Sequence, residues 1–362
     1  MMLLTFIGTA AHTDALAHHA HTPPMTAVAP AGGSFFVSSN NSGTIGVFNI
    51  DESDNITINP FSAGAEDSDG IHYDESSDIL YQINRTDNRI DAFVNVDGTL
   101  SDGLVPVVAF SSTSDFSNAR ELAARGDKLV VAQDASDSNG NDNRLLVYST
   151  DGNAITLEAT VASPVNLWGI QFVGSALYAI DDNSENFVVF DNFLSNLDGE
   201  LVASKTVSVE NMVRTHGLTI RGDVMILTDV GLGSEDDDGA LVIIEDYKSA
   251  MADGVISADE QVRIEGDNTN LGNPVDVALN TTNNTIFIAE RANEGGRVLG
   301  FALDAEAGNT SPIYDELFAG ASAIDFTDYE EVQVVGDIEG SFFVSSNNTG
   351  TVGVFNVDAS DN

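Results

Sequence analysis

One pattern constrains this chain more than any other feature. A short apolar strand, a polar turn, a second strand ending in an acid or amide, a polar loop and a third apolar strand recur along its 362 residues. The units open at Gly70 ("GIHYDESSDILYQINRTDNRIDAFV"), Ala119, Leu167, Thr215 and Pro274, and "ASAIDF" at Ala321 opens a sixth. Successive starts lie 47 to 59 residues apart. The starts span 251 residues from Gly70 to Ala321, and one more interval of 56 residues, within the range of the others, would complete a period of 307, the displacement of a second repeat. "SFFVSSNNSGTIGVFNIDESDN" (34–55) returns as "SFFVSSNNTGTVGVFNVDASDN" (341–362), identical at 18 of 22 positions and displaced by 307 residues.

Units of about 50 residues with four short strands each are the size of propeller blades. A lone unit leaves its sheet faces unburied, so the units must pack around an axis to make a core. The chain is therefore read as all-β, a six-bladed β-propeller of four-stranded blades over residues 22–328. Ser34 to Phe48 supplies the second and third strands of a blade and "NITINPFSA" the fourth, with no first strand before them. "ASAIDF" (321–326) is a first strand without a blade. The first blade is expected to close from both chain ends, which removes free sheet edges. Residues 329–362 then have no place in the ring. They open a second propeller of a tandem array, or enter a neighbouring subunit as a donor, or displace the N-terminal copy in their own ring.

Composition limits the partners. Asp and Glu number 57 against 13 Lys and Arg, a net charge of −44. Such a chain repels phosphate backbones and anionic membranes, which argues against nucleic acid, and no stretch is apolar enough for membrane insertion. With no cysteine there is neither a disulfide framework nor a thiolate metal site. Residues 1–21 resemble a signal peptide without its basic start: "MMLLTFIGTAA", then Ala15-Leu16-Ala17 before a His-rich tail. A secreted or cell-surface protein is expected. Acceptor sequons begin at Asn40, Asn55, Asn84, Asn280, Asn283, Asn309 and Asn347 and are candidates for glycosylation.

With a small residue opening many first strands and an acid or amide closing the second, the blade pattern resembles the NHL-repeat and gluconolactonase-like six-bladed propellers. That resemblance implies a divalent cation at the channel mouth, held by Glu, Asn and Asp from different blades, beside an acid that handles a water for lactone or ester hydrolysis. The "EGP" opening of those enzymes is absent here. Strand-opening positions carry Arg120, Glu121, Trp168, Arg214, His216 and Asp276, with His72 in the first full unit. Second strands end in Asn84, Asp134, Asp181, Asp229 and Glu290. In antiparallel blades these two sets are expected to ring one mouth. Oxygen donors of this kind suit Ca²⁺, with Glu121, Asp134, Asp229 and Asp276 as candidate ligands. Asp276 and His216 are the candidates for acid–base work, and Arg120, Trp168, Arg214, His216, His72 and Glu290 for a ligand mouth.

Each of these residues has a plainer reading, since strand-end Asp and Asn commonly tie down turns. Trp168 is the chain's one tryptophan and a candidate platform for a carbohydrate ligand. Two acidic loops (134–143 and 233–240) have carboxylates of the Ca²⁺-binding kind, and "SAMADGVISADE" (249–260) matches the second half of an EF-hand loop without its first carboxylates. The leading functional expectation is an extracellular, non-catalytic propeller acting as a binding or surface-assembly module, self-associating or joined to a tandem neighbour through 329–362. The alternative is a metal-dependent lactonase or esterase.

Overall fold

A computed structural model describes residues 32–198, 201–232 and 235–326, together with the backbone of strands 342–346 and 351–355. The leader and its histidines lie outside these residues. Six sheets, antiparallel except for one strand added in parallel to blade 4, form the blades of a propeller. Their inner strands are Ala321–Phe326, Ser68–Asp74, Ala119–Arg125, Leu167–Val173, Thr215–Arg221 and Pro274–Asn280, which open blades 1 to 6 in that order.

Both faces of each blade pack on a neighbour, so the middle strands are buried throughout instead of alternating, and even the polar Gln82, Asn84 and Glu290 are buried within them. Every residue of Ile79–Asn84, Ala240–Ile244 and Thr285–Glu290 is buried. The apolar clusters accordingly run between blades. One joins Trp168, Tyr178 and Phe187 of blade 4 to Leu218, Met225 and Val242 of blade 5. Turn residues are chosen for conformation: Asp78, Asn88, Asn183 and Asn284 all have positive φ, the left-handed region that Asn and Asp enter most readily after glycine.

Blade 1 closes from both ends, as the strand inventory predicted. Ser34–Ser39 pairs with Thr44–Ile50 on one side and with Ala321–Phe326 on the other, with Phe35 opposite Phe326 and Val37 opposite Ile324. The seam is aromatic. Phe35 lies 4.4 Å from Phe287 of blade 6 and 4.6 Å from Phe48, ring centre to ring centre, and is wholly buried. Each such phenylalanine contributes about 1.5–3 kcal/mol of burial, so the seam is a strong closure.

The longest interval, 59 residues, has a specific cause. A short helix, Tyr247–Ala250, interrupts blade 5, and the strand Val255–Ile256 after it pairs with Lys205–Val209 as a fifth strand of blade 4. The second copy of the terminal repeat forms a separate two-stranded sheet, 342–346 with 351–355. Its register, Phe342 opposite Phe355 and Val344 opposite Gly353, is that of Phe35 with Phe48 and Val37 with Gly46 in the ring. Among the described residues no helix is long and apolar enough to cross a membrane.

Candidate functional site

The six inner strands surround the axis in a common register, so their residues fall into levels. The uppermost holds Ser322, Asp69, Arg120, Trp168, His216 and Val275; the next holds Ala323, Gly70, Glu121, Gly169, Gly217 and Asp276. Neighbouring strands approach closely at this second level. A Cβ on Gly70 would lie 2.6 Å from the Leu122 nitrogen, and one on Gly217 2.7 Å from the Asp276 Cα, so neither position tolerates a side chain without a shift.

Side chains of the upper level link blade to blade. Ser322 Oγ donates to Asp69, which also accepts from Arg85 Nη1 at 3.3 Å and lies 4.0 Å from Arg120. The Arg120 guanidinium sits 4.0 Å over the Trp168 ring, and Trp168 stacks on His216 with ring centres 3.6 Å apart and planes 8° from parallel. Arg120 comes from the preceding blade and His216 from the following one, so both neighbours of the indole are already protein. Trp168 is 8% exposed and His216 2%. Both faces of the indole are thus covered by protein in this structure, and neither is presented as a free stacking platform.

Every acid near the stack has a cation. Asp134 accepts from Arg120 Nη2 at 3.2 Å and from Asn118. Asp182 accepts from Arg214 Nε at 2.8 Å and from His216 Nε2 at 3.1 Å. Burial raises a carboxyl, but these two bonds outweigh it and hold Asp182 well below the usual carboxylate range. Burial also pushes His216 down to about 4, against the pull of Asp182. The imidazole is therefore neutral at pH 7, and Arg214 is the charge that balances Asp182.

Below the stack the channel opens into a cavity of about 690 Å³, lined among others by Glu121, Asp276, Asp325, His72, Gln171 and Thr219. Its polar side chains clasp neighbouring strands. Ile324 N–H donates to Asp276 Oδ2 and Tyr73 N–H to Asp325 Oδ2, both at 2.8 Å. Gln171 exchanges two bonds with the Ile220 backbone, and His72 Nδ1 lies 3.2 Å from Asp325. Glu121 and Asp276 have no basic partner of their own. Burial, then the charge of Asp276, raises Glu121 well above its ordinary value; burial raises Asp276 to about 8 despite two amide bonds. Both carboxyls hold their protons more tightly than an ordinary aspartate or glutamate.

The predicted residues thus divide instead of ringing one mouth. Arg120, Trp168, Arg214 and His216 build the upper stopper, with Asp134 beside them. Glu121 and Asp276 face the lower cavity, and His72 sits at its rim, at the far end of its strand. Asp229 and Glu290 belong to neither. Asp229 accepts from the amides of Val213, Arg214 and Gly231 and from Arg263 at 2.8 Å. Glu290 accepts from the amides of Gly272, Asn273, Ala292 and Asn293. These are turn-making roles.

Of the four acids expected to hold Ca²⁺, Glu121 and Asp276 share the cavity while Asp134 and Asp229 lie elsewhere, and among the described residues no group of three His, Asp or Glu side chains is placed to hold a metal ion. The acidic loops are used locally as well. Asn139 ties the first to Ser117 and Asp134, Glu260 caps its own turn from Ser257, and Asp238 accepts from the Leu232 amide. Of the sequons, Asn84 and Asn280 are fully buried and bonded to Asp91 and to the Gly32 carbonyl, so the folded ring does not present them for glycosylation. Asn40 lies against Arg291, Asn55 is tied to Asp51, Asn283 to Asp54, and Asn309 accepts from the Asn268 amide. Asn347 lies outside the described residues.

Sequence reasoning passed over Asp69, Asp182, Asp325 and Gln171. Aligning the six inner strands residue by residue would have found three of them, since Asp69 falls on the level of Arg120, and Asp325 and Gln171 on that of His72. Asp182 follows Asp181 in a doublet, and the structure uses the second acid for the stack.

No family model matches the chain, and no curated protein matches it. Solved structures do. A component of a nidogen/laminin complex is 12% identical with a TM-score of 0.56, covering 81% of this chain and 97% of that one. A putative 6-phosphogluconolactonase from Bacteroides fragilis is 13% identical with a TM-score of 0.55, covering 84% and 100%. The periplasmic gluconolactonase of Pseudomonas aeruginosa is 14% identical with a TM-score of 0.50, covering 81% and 85%. The chain is a six-bladed β-propeller whose structural neighbours include nidogen/laminin and gluconolactonase-type propellers. At these identities the likeness is one of fold.

Proposed function

We propose that the protein is an exported, non-catalytic binding module, one ring of a tandem or filament-like array, which takes a small uncharged or cationic ligand into the lower half of its channel. The observation that carries this reading is the cavity of about 690 Å³, stoppered from above by the Arg120–Trp168–His216 stack. Its volume falls within the roughly 300–1,000 Å³ of small-molecule sites. Burial raises Asp276 to about 8, and burial with the neighbouring Asp276 raises Glu121, so these carboxyls can donate to a hydroxyl, and a bound ammonium group would favour their charged forms. The acids Glu121, Asp276 and Asp325, with Gln171 and Thr219, suit the hydroxyls of a carbohydrate or an amine, while His72, Arg125 and Arg221 also line the cavity. The leader-like segment 1–21 supports export, and the repeat at 341–362 supports a tandem arrangement.

A metal-dependent lactonase or esterase is the second reading, favoured by Glu121 and Asp276 sharing one channel and by the likeness to gluconolactonases. One experiment separates the two. The full chain is given a sugar lactone and an aryl ester, with calcium and with EDTA, while calorimetry follows titration with neutral sugars and alkylammonium ions. Binding without turnover supports the module. Calcium-dependent turnover that disappears in Asp276→Asn moves the assignment to the hydrolase.

A further inference from the structure

The ring has one slot for a closing hairpin, and the chain contains two hairpins of nearly the same sequence. We infer that blade 1 is an exchangeable docking slot, and that residues 341–357 of the same chain are its second occupant. The slot is defined by what the first hairpin places in it. Phe35, Val37, Ile45 and Phe48 are fully buried there, and Phe36 and Val47 nearly so. Polar groups lock the rim. Ser39 Oγ donates to the Ala319 carbonyl at 2.7 Å, Ala323 N–H to Ser38 Oγ at 3.1 Å, and Asn40 N–H to the Gly320 carbonyl at 2.9 Å.

The second copy carries the same residue type at each of these positions except one, and its strands pair in the same register. The four differences are graded by burial. Ser42, where the copy has Thr349, and Glu52, where it has Ala359, are exposed; Ile45 and Ile50, replaced by Val352 and Val357, are buried. Two missing methylenes leave the second hairpin weaker in the slot by about one to two powers of ten. That is enough for the first hairpin to hold the slot and too little to bar the second.

Reach is no obstacle. Phe342 would take the place opposite Phe326 now held by Phe35, and the fifteen residues 327–341 connect those two points. A same-chain occupant also enjoys a high effective concentration. A hairpin from a second chain gains nothing by comparison, because every ring already has two of its own. The inference holds whether or not 341–362 also opens a further ring.

The chain has no cysteine, so an introduced pair reports the occupant directly. Val37 and Ile324 are paired across the seam, within disulfide reach, and Val344 is the counterpart of Val37. The test uses the full chain with Ile324→Cys and Val344→Cys, in the parent background and with Phe35→Asp, which puts a charge into the slot and ejects the first hairpin. Expected is a disulfide within one chain that forms at least tenfold faster with Phe35→Asp, in a protein that keeps its strand content. Phe342→Asp alone is expected to be silent, and Phe35→Asp with Phe342→Asp to lose the cooperative unfolding transition. If Phe35→Asp alone is as disrupted as the double variant, or if its cross-link joins two chains on a non-reducing gel, the inference is overturned.

Discussion

The two ends of the channel are built from adjacent residues and do opposite things. At the upper end each acid meets a cation: Asp69 faces Arg85 and Arg120, Asp134 faces Arg120, and Asp182 faces Arg214. At the lower end Glu121 and Asp276 share a cavity and, among the described residues, neither makes a salt bridge, although His72, Arg125 and Arg221 also line it. Arg120 and Glu121 are consecutive in the chain, yet one closes the channel and the other lines its open part. On a strand, neighbouring side chains point to opposite faces, and on a propeller's inner strand those faces belong to different blades. Acids paired with cations become structure, while buried carboxyls without a cation bind protons more tightly and remain available to a ligand.

The largest effect that sharpens this contrast lies at the lower end. Asp276 is raised from its ordinary value to about 8, so the folded ring keeps a proton that the unfolded chain releases near pH 4. The native state binds more protons over that window, hence stability falls as pH rises from about 4 to about 8 and levels off above it. Asp276→Asn is expected to flatten this decline and to melt higher than the parent at pH 8, which calorimetry across pH will show. Equal alkaline sensitivity in parent and variant breaks the contrast.

At the upper end, Trp168→Ala removes the middle of the stack and is expected to cost about 3–5 kcal/mol in denaturant titrations, in the range for deleting a buried aromatic. Next in size is His216. Burial depresses it to about 4, so the unfolded chain gains a proton on acidification before the ring does, and stability is lost as pH falls from about 6.5 to 4. His216→Gln should remove about 3 kcal/mol of that acid limb. The smallest effect belongs to His72, whose side chain is 29% exposed. Its pair with Asp325 is partly solvated, so His72→Ala should change stability by only about 0–1 kcal/mol while altering ligand titrations at the rim.

The architecture was legible in the sequence because blade number, blade length and the terminal repeat all follow from chain spacing, which a regular fold preserves. "ASAIDF" could be placed as the missing strand of blade 1 by counting alone. The site was legible only in part. Glu121, Asp276, Trp168 and His216 were singled out by type and position, but a list of strand starts contains no information on which face each side chain takes. The sequence therefore groups Arg120 with Glu121 and places His72, Glu290 and Asp229 at the same mouth, whereas in the structure these residues lie in different places. What assigns those two acids to turns is the set of backbone amides around each, and these come from segments up to eighteen residues away.

The central claim is that the channel is stoppered above and ligand-accessible only from below, and Trp168 reports on it alone as the chain's sole indole. Acrylamide quenching of its fluorescence in the full chain is the most direct measurement. The account predicts weak quenching, as for a ring clasped between Arg120 and His216, unchanged when a ligand fills the lower cavity. Quenching as strong as for free tryptophan would show an open upper mouth and contradict it.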